Sequence, residues 1–181
     1  MTRSRVIALL AVVLVAAGCG SHEDPTTKIE RTFHVDWHDR STQVAVSYTA
    51  TEIVFHGGRW SAQMSVHNAS GKPLYEAVWS PPGNNGSIWD GPALVYSGLD
   101  VLGERRLIFV PIDTEQPAVP LPLQNGATWH GTVGGKVPRT PALPHGSPIW
   151  LRFPVFGVGQ PYLDGEAALN LQWISTKAIQ L

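Results

Sequence analysis

The sequence predicts an all-β protein whose main part folds as a single antiparallel β-sandwich. From residue 59 to residue 67, apolar and polar residues alternate, with Trp60, Met64 and Val66 on one side, which is the pattern of a strand with one buried face. Similar short runs recur along the chain between turns rich in Gly, Pro and Asn. A strand with one apolar face has to cover that face, and the chain offers further strands rather than helices to do so.

Residues 1–18 are predicted to be a secretory signal peptide that lies outside this fold. Arg3 and Arg5 form a basic start, residues 6–15 an unbroken apolar run, and residues 16–18 a small-residue cleavage region. A membrane-spanning helix needs about 20 apolar residues, and this run is shorter. We therefore expect export rather than a permanent span.

The segment Val15-Ala16-Ala17-Gly18-Cys19 resembles the lipobox of bacterial lipoproteins. The resemblance implies that the thiol of Cys19 carries a diacylglyceride, that the signal is cut before Cys19, and that the acylated cysteine holds the protein on a cell or outer membrane, facing the periplasm or the exterior. Several acyl chains supply the multiple anchors that stable attachment requires. The alternative is an ordinary signal peptide with a spare thiol at its end.

Cys19 is the only cysteine, so its acylation leaves no thiol for a disulfide or a thiolate metal site. Removal of Arg3 and Arg5 with the signal leaves 13 − 2 = 11 basic residues against 14 acidic ones, a formal charge of −3. This balance offers no polybasic patch, and we expect no nucleic-acid partner.

The chain is divided into the signal peptide, a lipidated cysteine with a flexible polar tether at residues 19–30, and a sandwich domain at residues 31–181. The tether contains Pro25 and shows no apolar periodicity. About 150 residues remain for the domain, which is enough for one sizeable core. The predicted strands cover residues 33–37, 44–48, 53–55, 60–66, 74–79, 93–96, 107–112, 128–133, 149–156 and 167–174.

Turn residues indicate how these strands connect. The sequence His56-Gly57-Gly58-Arg59 predicts a tight hairpin into the Trp60 strand. Residues 68–73 combine Asn, Ser, Gly and Pro and break the pattern before it resumes at Leu74. Residues 80–87 form a turn-rich loop that we expect on the surface.

Two segments give this sandwich a resemblance to the immunoglobulin-like domains common in exported bacterial proteins. They are the Trp60 strand leading into Asn68-Ala69-Ser70-Gly71, and the turn at residues 124–127 before a strand that contains Trp129. The Cys, Trp, Cys spacing of true immunoglobulin domains is absent, so no family function is carried over. A jelly roll is the alternative arrangement.

Known catalytic motifs are absent from the sequence. It contains no Gly-x-Ser-x-Gly and no His-Glu-x-x-His, and the run from Gly134 to Val137 lacks the hydroxyl and the first glycine of a phosphate-binding loop. An enzyme of the cell envelope with an unrecognised site remains an alternative.

One cluster of polar residues has the composition of a metal site. On an extended chain His34, Asp36 and His38 share one face at intervals of about 6 to 7 Å, and two imidazoles with a carboxylate can hold zinc or copper. The alternative is the solvated face of a strand whose other face, with Phe33 and Trp37, is buried.

The chain has seven tryptophans, which suggest a recognition surface as well as a core. Trp79, Trp89 and Trp150 flank the Pro/Gly-rich loops, where aromatic rings bind sugars or peptides, whereas Trp60 and Trp129 are expected in the core. We therefore expect a non-catalytic, membrane-tethered module of the cell envelope that binds an envelope protein, peptide or glycan. A metal-binding lipoprotein that uses His34, Asp36 and His38 is the alternative.

Overall fold

A computed structural model describes residues 26–40, 43–76, 91–99, 103–139, 143, 146–158 and 174–181. All the regular elements in these ranges are strands, and their pairings are antiparallel. The strands are β1 (Thr27–Ile29), β2 (Phe33–Asp39), β3 (Val44–His56), β4 (Arg59–Asn68), β5 (Tyr75–Glu76), β6 (Ala93–Leu99), β7 (Arg105–Pro111), β8 (Thr114–Gln116), β9 (Thr128–Lys136), β10 (Pro148–Arg152), β11 (Phe156–Gly157) and β12 (Ile179–Gln180).

The β3–β4 hairpin is the centre of the larger sheet. Gly57 and Gly58 connect its strands and have φ angles of 58° and 70°, which side chains with a Cβ rarely adopt. Positive φ at both turn residues matches the right-handed twist of the strands, and His56 pairs directly with Arg59. The predicted hairpin is therefore confirmed.

The larger sheet has the order β1-β3-β4-β9-β8, and β2 also pairs with β3. β1 lies opposite residues 53–55 of β3 and β2 opposite residues 44–50, so both follow one edge of β3 in succession. A bulge interrupts β3 between Thr51 and Val54, and Glu52 within it has a φ of 50°. The edge is thus broken at residues 30–32, opposite the bulge.

The smaller sheet has the order β12-β10-β6-β7, and β11 and β5 form a separate two-stranded ribbon. Side chains from both sheets form one buried cluster, to which the larger sheet gives Tyr48 and Trp60 and the smaller sheet gives Leu94 and Leu151. Packing of two antiparallel sheets around a shared core is a β-sandwich, so the predicted fold class is confirmed.

The buried aromatic side chains of the core are closely fitted. The ring of Tyr48 stacks on Phe153 with centroids 4.9 Å apart, and its hydroxyl donates to the carbonyl of Pro154 at 2.7 Å. The hydroxyl therefore keeps a partner inside the core, which burial of a tyrosine requires.

Glycines on β9 give the indoles of the core the space that they need. A Cβ on Gly131 would lie 2.3 Å from the ring of Trp129, and a Cβ on Gly135 would lie 2.9 Å from Nε1 of Trp60 and 2.5 Å from the carbonyl oxygen of Pro111. These glycines therefore serve close packing between β9, the indoles and the end of β7.

Asn68 fixes the turn that follows β4. Its buried side-chain amide donates to the carbonyls of Lys72 at 2.7 Å and Leu123 at 2.8 Å, and its oxygen accepts from the backbone of Ser70 at 2.9 Å. The backbone of Asn68 also bonds to that of Ala127 at 3.0 Å. The predicted break after β4 is therefore a fixed turn that is attached to the segment before β9.

Several predicted boundaries differ from the structure. Residues 53–55 belong to β3 rather than to a separate strand, and residues 149–156 divide into β10 and β11. The larger sheet begins at Thr27, upstream of the predicted domain start at residue 31. The predicted strand at residues 167–174 lies outside the described residues except for Ile174, which is buried.

Candidate binding site

The outer face of the larger sheet is covered mainly with polar side chains, and we call this surface the polar face. Strand pairing arranges its residues in rows that run across the sheet. One row joins His34, Thr49, Ser65 and His130, a second joins Asp36, Ser47, His67 and Thr128, and a third joins Thr51, Gln63 and Thr132.

The β2 end of the polar face is organised around Asp36. The hydroxyl of Ser47 donates to the carboxylate of Asp36 at 2.6 Å, and Nε2 of His34 lies 3.0 Å from the same oxygen. The Ser47 hydrogen bond, followed by the nearby imidazole, lowers the pKa of Asp36 below its ordinary value of 3.8. Nδ1 of His34 lies 3.2 Å from the hydroxyl of Thr49. Asp36 is therefore an ionised acceptor that orients its neighbours.

Cross-strand hydrogen bonds also hold the far side of the polar face. Nδ1 of His67 lies 2.8 Å from the hydroxyl of Thr128, and the amide of Gln63 donates to Thr132 at 3.0 Å. Side chains that already hydrogen-bond to one another lose less conformational freedom when a ligand arrives. The polar face is therefore a preorganised hydrogen-bonding surface.

The three predicted metal ligands lie on this face, but the structure joins only two of them. His34 and Asp36 are hydrogen-bonded, whereas His38 lies farther along β2, opposite Ala45. Among the described residues, no group of three or more His, Cys, Asp or Glu side chains is arranged to hold a metal ion. His34 and Asp36 are described below as hydrogen-bonding groups.

A groove lies where the edge of β2 meets the chain that leads into β12, and we call it the β2 groove. It has a volume of about 480 Å³, within the range of roughly 300–1,000 Å³ that is usual for ligand sites. One wall is formed by residues 31–35, and the other wall is formed by residues 175–178. His34 belongs both to this groove and to the polar face.

Two cationic side chains line the β2 groove. Arg31 and Lys177 are exposed, and neither forms a salt bridge with a carboxylate among the described residues. The guanidinium of Arg31 lies 5.4 Å above the ring of Phe33, so a cation–π contact positions it. Thr32 and Ser175 add hydroxyl groups to the walls, whereas the hydroxyl of buried Thr176 accepts from the backbone of Leu151 at 3.1 Å.

The predicted tryptophan surface is described only at Trp150. Trp150 is half-buried on the outer face of the smaller sheet, where it pairs with Val95, which pairs in turn with Phe109. Leu107 follows on the same face of β7 and is 51% exposed. Trp79 and Trp89 lie outside the described residues, as does Cys19.

No local sequence pattern predicts the basic residues of the β2 groove. Arg31 directly follows the predicted tether, and Lys177 lies 146 positions later, in a segment without apolar periodicity. They line one groove because β12 pairs with β10 in the smaller sheet, and that sheet packs against the larger sheet, which contains β2. A pairing between such distant residues leaves no local pattern.

Comparison with known proteins gave no relatives. No protein-family model, curated protein or solved structure matches the chain. In the part of the chain that the structure describes, no helix is long and apolar enough to cross a membrane.

Proposed function

We propose that this protein is a bacterial lipoprotein of the cell envelope and that its β-sandwich is a non-catalytic binding module. The signal peptide and the lipobox around Cys19 support the membrane anchor. Thr27, which begins β1, follows Cys19 by eight residues. Eight extended residues reach at most about 29 Å, so an acylated Cys19 keeps the β2 groove close to the membrane surface.

The observation that carries the binding role is the β2 groove. It brings together two cations, an imidazole and the hydroxyl groups of Thr32 and Ser175 in one concave site. A few polar groups that converge in a concave site are a usual feature of a binding site. The adjoining polar face extends the hydrogen-bonding surface beyond the groove.

Lipid labelling of the full-length chain in a bacterial host tests the anchor. We expect the native chain to incorporate radiolabelled palmitate and to sediment with membranes, because Cys19 supplies the acylated thiol. Cys19→Ala should incorporate no label and should leave unprocessed precursor or release soluble protein. His22→Ala is the matched control, since it changes the tether and leaves the lipobox intact. Mass spectrometry that finds an unmodified mature terminus on the native chain would refute the anchor.

A further inference from the structure

We infer that the β2 groove binds an extended peptide rich in acidic side chains, which adds to the sandwich as a short strand along the edge of β2. The inference rests on the proposed binding module and names its ligand class. It is carried by the backbone geometry of the walls, by the charges of the groove and by its apolar lining.

The walls of the groove are runs of consecutive residues rather than one face of a sheet, and one wall includes the start of β2 at Phe33. Successive side chains of a strand point to opposite faces, so a site on one face would be lined by every second residue. Here five consecutive residues, 31–35, form one wall and four consecutive residues, 175–178, form the other. The groove therefore follows the backbone itself, where N–H and C=O groups are within reach of a ligand.

The edge of β2 that faces away from β3 is unpaired in the described part of the chain, because β3 is the only described strand that pairs with β2. An unpaired edge is a template for another extended segment, which gains main-chain hydrogen bonds from it. Five residues of an extended peptide span about 17 Å. A short segment is therefore the ligand that matches this wall.

The charges of the groove select acidic side chains. The positive charges of Arg31 and Lys177 are not neutralised by any described carboxylate, and no carboxylate of the described residues lines the groove. Asp36 is already engaged by Ser47 and His34. A guanidinium binds a carboxylate through two parallel hydrogen bonds, and a lysine ammonium adds a point charge.

The apolar lining further favours a peptide over a simple anion. Phe33, Val35 and Ala178 line the groove beside the hydroxyl groups. Inorganic phosphate or an acidic sugar would use the cations and the hydroxyls but neither the backbone edge nor this apolar lining. A peptide that alternates acidic and apolar residues uses all three.

The test measures binding of defined probes to the detergent-solubilised full-length lipoprotein by fluorescence anisotropy. The main probe is a labelled ten-residue peptide of alternating Glu and Val. Its comparison probes replace every Glu by Gln, or methylate alternate backbone nitrogens to remove donors. Polygalacturonate and inorganic phosphate serve as competitors that carry anionic charge without a peptide backbone.

We expect the Glu peptide to bind and each comparison peptide to bind at least tenfold more weakly. Arg31→Gln and Lys177→Gln should each weaken binding of the Glu peptide about tenfold, since each removes a charged hydrogen-bond partner. Arg139→Gln, which removes an exposed cation outside the groove, is the matched control and should bind as the native chain does. Because Arg31 and Lys177 are exposed, thermal denaturation should show unchanged folding.

Several results would overturn the inference. It fails if the Glu peptide does not bind, if the Gln or N-methylated peptide binds equally well, or if polygalacturonate or phosphate competes with an affinity equal to that of the peptide. It also fails if Arg139→Gln weakens binding as much as the groove variants do. Palmitate labelling of Cys19 is independent of these outcomes. If the peptide does not bind but Cys19 is still labelled, the proposed peptide site is refuted and the proposed lipid anchor is not affected.

Discussion

Gly135→Ala tests the packing between β9, Trp60 and the end of β7. The added Cβ would lie 2.5 Å from the carbonyl oxygen of Pro111 and 2.9 Å from Nε1 of Trp60. Pro111 pairs with Ala93 in the smaller sheet, so its carbonyl moves only if the two sheets separate locally. Trp60 is 1% exposed and has no free space on the solvent side.

The expected loss of stability follows from these contacts. Overpacking a core costs about 1–3 kcal/mol, and a clash with backbone belongs at the upper end of that range. Replacing Gly by Ala also reduces the freedom of the unfolded chain, which offsets about 0.4–1 kcal/mol. We therefore expect Gly135→Ala to lower the free energy of unfolding by about 2 kcal/mol.

Gly157→Ala is the matched control, because a Cβ there would meet nothing within 4 Å and the φ of Gly157 is not positive. It should leave the free energy of unfolding unchanged or raise it by up to about 1 kcal/mol. Urea denaturation of a soluble fragment of residues 24–181, followed by tryptophan fluorescence, measures both variants. Equal stability of the two variants would refute the close approach of Gly135 to Trp60 and Pro111.

Two further predictions concern the larger sheet. Trp60→Ala should lower the free energy of unfolding, measured by urea denaturation, by about 3–5 kcal/mol because it leaves a cavity in the core. His67→Ala removes only a surface hydrogen bond to Thr128 and should lower it by about 0.5 kcal/mol. Equal losses for the two variants would contradict a strand with one buried face. Arg59 holds the pKa of Asp113 below 3.8, so the stability that this pair contributes is complete above pH 3.8 and is lost as the pH falls through the lowered value. Asp113→Asn should therefore reduce the loss of thermal stability between pH 4 and pH 2, and an unchanged acid profile would argue against the pair.

Alternation predicted the long strands well because their faces differ in environment. Trp60, Ala62, Met64 and Val66 are buried on β4, and the residues that alternate with them lie on the polar face. The bulge in β3 shifts the phase of this alternation at Glu52, so the residues after it were interpreted as a new strand. β1, β8 and β12 have two or three residues each, which is too few to show an alternation of apolar and polar residues.

The candidate site was predictable only in part. Alternation along β2 correctly placed His34, Asp36 and His38 on an exposed face. The hydroxyl groups that bond to His34 and Asp36 come from Thr49 and Ser47 of β3 and depend on register. Arg31 and Lys177 are far apart in sequence, and they line one groove because of strand pairing and sheet packing in the folded chain. These long-range contacts depend on the whole core and cannot be predicted from either local segment.

The break in the sheet edge at residues 30–32 also limits how copies of this chain can associate. Two long, unbroken sheet edges could pair with each other through backbone hydrogen bonds and form polymers, as unprotected edges do in aggregates. Here an incoming strand meets at most the seven residues of β2 before the chain turns away toward β1. If acylation of Cys19 confines many copies to one membrane, frequent collisions between their edges would then end in brief, short pairings, and the molecules would remain separate.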